Sequence, residues 1–254
     1  MLIYQPSGRA REYAPWAANL YSGCAHGCLY CYAPMVLRRD RAEFRTAPSP
    51  RANVLEQLAR EAKKLPSGIK VLLSFTTDPY QPCEEEYGIT RRAIEILHAH
   101  GLGVEILTKG GRRAARDFDL LGEEDAFGST LTFLSPQKSR EWEPNAALPE
   151  DRLAAIEEAH GRGITVWVSL EPVIEPEETL KIVEATHGMV DLYKVGPLNH
   201  HPLSETVNWR AFGLQVQSLF RELGSRYYLK EDLRRFLREA KDGSRAAETA
   251  RRSV

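Results

Sequence analysis

The chain has only four cysteines in 254 residues, too few for the disulfide framework of a secreted scaffold. It has no apolar run approaching the roughly 20 residues that a membrane span needs. The opening MLIYQP carries neither a charged n-region nor a long apolar core, so a cytoplasmic location with no membrane partner is expected. A net charge of −1 leaves no global cationic field to hold nucleic acid non-specifically. No low-complexity linker divides the sequence. Against these absences stand 43% apolar residues, which exclude disorder as the dominant state and supply the core of one sizeable domain.

Short β-rich runs alternate with amphipathic stretches. Residues 18–22, 70–75, 104–107, 129–134, 164–170 and 192–195 read as strands, with helices across 54–64, 87–100, 112–121, 151–160 and 177–185. The returns His100-Gly101-Leu102-Gly103 and His160-Gly161-Arg162-Gly163 end two helices just before strands. Six alternations imply an α/β fold, a parallel sheet with helices outside. A closed eight-unit barrel takes about 250 residues. Here the sixth strand is reached near residue 195, and residues 208–223 and 229–240 read as helices. The expected architecture is a partial (βα)6 TIM-type barrel with a lead-in across residues 1–203. A C-terminal helical extension across 204–254 follows, ending in a polar, mobile tail from residue 241.

In parallel α/β folds the chemistry sits at the carboxyl ends of the strands. The loop after the first strand holds Cys24-Ala-His-Gly-Cys28-Leu-Tyr-Cys31, a C-x3-C-x2-C triplet, while Cys83 stands apart. Structural zinc wants four ligands, and His26 would have to close a tetrahedron from between the first two cysteines. Three thiolates on a [4Fe–4S] cluster leave one iron open to chelate a small molecule. This spacing, with the aromatic Tyr30 before the last cysteine, resembles the radical S-adenosylmethionine (radical SAM) superfamily. The segments Gly8-Arg9-Ala10-Arg11-Glu12-Tyr13 and Asn19 to Ala33, with Thr76-Thr77-Asp78-Pro79-Tyr80 and Thr108-Lys109, resemble its spore photoproduct lyase-like (DNA repair photolyase-like) group.

That resemblance implies a cluster on Cys24, Cys28 and Cys31, S-adenosylmethionine as second cofactor, and an external electron donor of the flavodoxin or ferredoxin type. The reduced cluster would break a carbon–sulfur bond of S-adenosylmethionine to give a 5′-deoxyadenosyl radical, which abstracts hydrogen from a substrate. Tyr30 would lie along the adenine, Thr76, Thr77 and Asp78 near the methionine amino group, and Lys109 on the methionine carboxylate. Thr132, with Ser129 and Thr130 close by, and Glu171 would reach the ribose. Tyr32, directly after the third cysteine, matches a tyrosine of the lyase's hydrogen-return path. The lyase's hydrogen-donor cysteine matches Phe75, eight residues before Cys83, which leaves Cys83 as the alternative donor. Asp78 also reads as a helix cap, Tyr32 as a packed aromatic, and Arg112, Arg113 and Arg116 as a solvated helix face. Lys194, Asn199, His200 and His201 are candidates for substrate contact. Basic stretches at residues 38–51 and 226–254 leave a nucleic-acid substrate open. The competing reading is a non-catalytic iron–sulfur or zinc-binding module.

Overall fold

The computed structural model describes residues 1–238, so the tail from residue 241 lies outside the described residues. The strands are β1 (Ile3–Tyr4), β2 (Ala17–Ala18), β3 (Tyr21–Ser22), β4 (Ser49–Pro50), β5 (Lys70–Leu73), β6 (Gly103–Thr108), β7 (Ala126–Thr130), β8 (Thr165–Val173), β9 (Leu192–Pro197) and β10 (Tyr227–Leu229). Eight form one sheet in the order β1-β2-β5-β6-β7-β8-β9-β10. Only β1 runs antiparallel to its neighbour in that sheet. Helices α1 (Ala33–Val36), α2 (Arg41–Thr46), α3 (Val54–Ala62), α4 (Glu84–Tyr87), α5 (Ile89–Ala99), α6 (Pro136–Trp142), α7 (Pro149–Gly161), α8 (Pro176–Thr186) and α9 (Trp209–Glu222) connect them. A ten-residue 3₁₀ segment, Gly111–Leu120, fills the connection between β6 and β7. The six strand–helix units expected of a partial barrel are present as β2 and β5 to β9.

Several boundaries differ from the sequence reading, each for a physical reason. The first strand divides: β2 joins the barrel sheet, whereas β3 turns away to pair with β4. The helix expected over 87–100 breaks at Gly88, whose φ of +57° ends α4 before α5 begins. The segment Gly111–Leu120 buries Gly111, Ala114, Asp117 and Phe118, and the three-residue spacing of the first three suits the 3₁₀ helix rather than the α-helix. Residues 227–229 extend the sheet as a short parallel strand on β9, so the last helix begins at residue 231 instead of 229.

The fourth barrel strand lies earlier than its apolar residues Leu131 and Phe133 imply, because Gly128 fixes it. A Cβ there would overlap the Trp167 ring and stand 2.5 Å from the Ile106 carbonyl oxygen. Trp167 fills the barrel's inside with Ala14, Ala17, Leu72 and Ala126. Its strand neighbours Val166 and Val168 point the other way, into the larger core beneath the helices. Gly128→Ala is therefore expected to cost about 1–3 kcal/mol by overpacking. A thermal melt should fall by several degrees, and an unchanged melt would contradict the close Trp167 packing.

Candidate cluster and cofactor site

The cysteine loop leaves the carboxyl end of the first barrel strand, and its path is forced by two glycines. Gly23 and Gly27 hold φ values of +86° and +70°, and a Cβ on Gly23 would meet the Phe44 carbonyl oxygen at 2.7 Å. Neighbouring elements supply the loop's hydrogen bonds. Gln81 accepts from the Ala25 amide at 2.9 Å and donates to the Gly23 carbonyl at 3.2 Å. Asn145 donates to the Ala25 carbonyl at 3.0 Å. From α2, Arg41 donates to the carbonyls of Leu29 and Cys31, and Arg45 to that of Cys28. Gln81 and Asn145 were not singled out from sequence, and Arg41 and Arg45 were read only as part of the basic stretch. Their partners are loop carbonyls and amides, which leave no periodic signal.

Cys28 is buried, and Cys24 and Cys31 are half-buried; all three are free thiols. Burial pushes the Cys24 and Cys28 thiols up, so they surrender protons only when a metal takes up the charge. Among the described residues no three His, Cys, Asp or Glu side chains converge on one metal ion. A four-iron cluster takes its thiolates on separate irons and does not need that convergence. His26 is buried within the loop, its Nδ1 3.4 Å from an Asp78 carboxylate oxygen. Burial holds its imidazole down, at about 4, so it is neutral at pH 7.

Past β5, Asp78 is a structural junction. It accepts the Thr108 hydroxyl at 2.6 Å, the Tyr80 amide at 2.8 Å and the Lys109 amide at 2.7 Å. This ties the ends of β5 and β6 to each other and to His26. The Thr76 amide is held by Asn19, and the Thr77 hydroxyl is buried with no partner. Thr132 Oγ1, just past β7, is likewise buried and unpartnered. A buried hydroxyl left unmatched costs about 1–3 kcal/mol, so a polar ligand at these strand ends would recover free energy. Ser129 lies on the helix side of β7, one position from the inward Gly128.

Lys109 reaches over the Tyr30 ring, its Nζ 5.6 Å from the ring centre. It makes no ion pair or side-chain hydrogen bond among the described residues. Burial works against its charge, but the neighbouring carboxylates of Glu143 and Asp78 favour the ammonium, and the group is shifted up. The Tyr30 hydroxyl donates to Glu143, which pairs with Arg152 at 2.6 Å. Both charged groups are almost fully buried. Arg152 also donates to the carbonyls of Thr130 at 3.0 Å and Ala147 at 2.7 Å. Burial alone would raise the Glu143 carboxyl, but Arg152 and Lys109 overcome it and hold the group below its ordinary range. This pair was missed from sequence. Its one signal was Arg152 on the buried stripe of α7 with Ala155, Ile156 and Ala159.

The remaining candidates are placed elsewhere. Tyr32 is exposed on the loop's exit, its hydroxyl donating to the Phe75 carbonyl at 3.2 Å. Cys83 is the N-cap of α4 and packs against the outer core; burial and Glu84 push its thiol up to about 11. Glu171 accepts the Tyr13 hydroxyl and pairs with Lys230 at 2.8 Å, so the N-terminal lead-in and the C-terminal segment meet on it. Lys194 is buried with its Nζ on the Tyr13 carbonyl. Arg113 and Arg116 pair with Glu85 and Glu84, and Arg112 lies by Asp151. Asn199 donates to the Pro197 carbonyl, while His200 meets Arg9 and His201 packs at a tilt against Trp142.

A partial parallel barrel with three thiols after its first strand, and with a free ammonium and unmatched hydroxyls at the next strand ends, is the frame of an iron–sulfur enzyme that holds a small-molecule cofactor. The sequence profile of the Radical SAM superfamily matches residues 18–190, and the chain belongs to that superfamily. Its cofactors are a [4Fe–4S] cluster and S-adenosylmethionine. Its fold is that of the spore photoproduct lyase-like group. A substituted spore photoproduct lyase superposes with a TM-score of 0.68 at 14% identity, covering 88% of this chain and 79% of the lyase. Streptococcus suis SuiB with bound S-adenosylmethionine gives 0.62 at 11%, covering 84% and 49%. By sequence, an uncharacterised protein of Mycobacterium tuberculosis is 31% identical over 170 residues, 63% of this chain and 49% of that protein. An uncharacterised protein of Acidianus two-tailed virus is 27% identical over 188 residues, 69% and 61%. The match thus spans about half the length of the mycobacterial relative. No helix among the described residues is long and apolar enough to cross a membrane.

Arg152→Met would leave the Glu143 carboxylate buried without its partner, an expected loss of about 3–5 kcal/mol. The denaturation midpoint should drop accordingly, and Glu143→Gln added to Arg152→Met should recover part of it. If the double variant is no more stable than the single, charge is not what the pair contributes.

Proposed function

We propose that this chain cleaves S-adenosylmethionine reductively and abstracts hydrogen from a substrate. Cys24, Cys28 and Cys31 would hold the cluster, and Lys109 the methionine carboxylate. The observation that carries this reading is Lys109. A half-buried ammonium with no ion pair or side-chain hydrogen bond among the described residues lies over Tyr30, near Cys28. When bound, the reduced cluster supplies an electron that breaks a carbon–sulfur bond and yields the deoxyadenosyl radical. The chain's own part is placement. Tyr30, fixed by Glu143 and Arg152, offers a flat face, and the Thr77 and Thr132 hydroxyls offer hydrogen bonds. Asp78 acts as the brace that positions Lys109 through its amide. Glu171, already engaged by Lys230 and Tyr13, is better suited to hold the lead-in than to bind a ribose. Four free thiols and an oxygen-labile cluster fit a reducing compartment, the cytoplasm.

Hydrogen abstraction is as far as the reading goes. Photoproduct repair is not proposed, because Phe75 stands at the lyase's donor-cysteine position and Cys83 lies on the helix side. Three arginines of the basic stretch at 38–51 are already engaged: Arg41 and Arg45 spend donors on loop carbonyls, and Arg39 on Ser22 and Glu43.

After anaerobic reconstitution the protein should bind about four irons, as one cluster requires. With dithionite and S-adenosylmethionine it should release 5′-deoxyadenosine. Cys24→Ala, Cys28→Ala or Cys31→Ala should lose the iron, whereas Cys83→Ala should keep it. Bound zinc, or no cleavage by the iron-loaded protein, would end the radical reading. Lys109→Ala should retain the cluster but weaken S-adenosylmethionine binding by at least about tenfold, roughly the loss of one charged hydrogen bond. Calorimetric titration measures this, and an unchanged Kd would remove Lys109 from the site.

A further inference from the structure

Half of the large apolar side chains left exposed among the described residues fall within nine positions beside the third cysteine: Leu29, Tyr32, Met35, Val36 and Leu37. Met35 and Val36 are 56% and 59% exposed, on a helix that has only Ala33 and Pro34 buried beneath it. Scattered exposed apolar residues need no explanation, but a contiguous set rimmed by charge marks an interaction site. Here the rim is basic. Residues 29–45 contain four arginines against two carboxylates, and one of the four, Arg38, has a guanidinium with no hydrogen bond or ion pair among the described residues.

The position of this patch is its second notable property. Tyr32 follows Cys31 directly, and α1 starts at the next residue. Arg41 and Arg45 run from α2 to the carbonyls of Leu29, Cys31 and Cys28. A body seated on α1 therefore rests on the backbone that holds two of the three thiols.

We propose that this patch, Met35, Val36 and Leu37 with Leu29 and Tyr32 beside them and Arg38 at the rim, docks an acidic one-electron donor protein of the flavodoxin type. The inference rests on the radical reading above. In each encounter the donor is oxidised by one electron and the cluster reduced by one. Apolar content distinguishes this partner from a nucleic acid. Protein interfaces have an apolar centre enriched in Met, Tyr and Arg, whereas a phosphodiester strand selects outward cations and hydrogen-bond donors. Met35, Val36 and Leu37 offer neither. Redox encounters bury little surface, under about 1,200 Å², which suits so short a helix.

The experiment uses the full-length, anaerobically reconstituted protein and reduced flavodoxin as the probe. Stopped-flow absorbance follows flavodoxin oxidation at sub-saturating concentration, and calorimetry follows binding directly. The double variant Met35→Glu with Val36→Glu should slow flavodoxin-driven reduction at least about tenfold. Arg38→Glu should slow it several-fold, and added salt should slow the unaltered protein. Cluster iron and dithionite-driven deoxyadenosine release should stay at the unaltered level in all of these, because dithionite is small and needs no docking surface. Leu214→Glu, an exposed apolar position on α9, should change nothing. Undiminished flavodoxin-driven reduction in the double variant would overturn the proposal. So would a parallel loss with dithionite, which would mean a damaged loop. Variants that lose binding to a single-stranded oligonucleotide while keeping flavodoxin reduction would overturn it too. Failure of the unaltered protein to cleave S-adenosylmethionine with dithionite would instead defeat the radical reading itself.

Discussion

The buried pair of Glu143 and Arg152 joins the cluster loop to the barrel. Arg152 takes the carbonyl at the end of β7 and the turn before α7, while Glu143 takes the Tyr30 hydroxyl. Two charges this deeply buried are held by their mutual pairing and by added hydrogen bonds, with every Arg152 nitrogen donating and both Glu143 oxygens accepting. Without them Tyr30 would have no fixed orientation, and Lys109 would lose both the ring beneath it and a carboxylate that keeps it charged. Asp78 makes a second link of the same kind, from β5 to β6. Between them, these two acids set where the cysteine loop, the Lys109 ammonium and the open strand ends stand relative to one another.

The sheet was legible from sequence because its signal is local. KVLLSF and ITVWVSL are apolar runs of strand length, and the glycine returns mark where helices stop. The three cysteines were legible for another reason, since their spacing is itself the chemistry. What stayed hidden depends on contacts far apart in the chain. Nothing near Glu143 distinguishes it from the other acids of its segment, because its role is set by Tyr30, 113 positions away. Gly128 looks like a weak point in a strand, yet Trp167 packs directly against it. Glu171 reads as an open strand-end acid, yet Lys230, 59 positions later, has already claimed it.

The two ends of the chain show the same long-range logic. Glu12 accepts from the Tyr228 hydroxyl and the Glu231 amide, and Arg9 pairs with Asp232. Tyr13, just beyond, enters the barrel between Phe75 and Trp167, with the Lys230 ammonium 4.2 Å above its ring. A partial barrel has an open seam, and its exposed edges need cover. Here the lead-in and the C-terminal segment provide that cover jointly, so neither is an appendage in the energetic sense.

That arrangement also bears on how this chain departs from the lyase it resembles. Phe75 has no transferable hydrogen atom. Its ring packs edge-on against Tyr13 at 5.8 Å, and its carbonyl takes the Tyr32 hydroxyl. The place of a donor thiol is thus filled by an aromatic that helps anchor the lead-in, and a thiol could return there only by loosening Tyr13 and the Glu171–Lys230 pair behind it. Cys83, in the loop between β5 and α4, packs against the larger core, and burial and Glu84 push its thiol up. What the chain shares with the lyase is the fold, and it differs from it at Phe75.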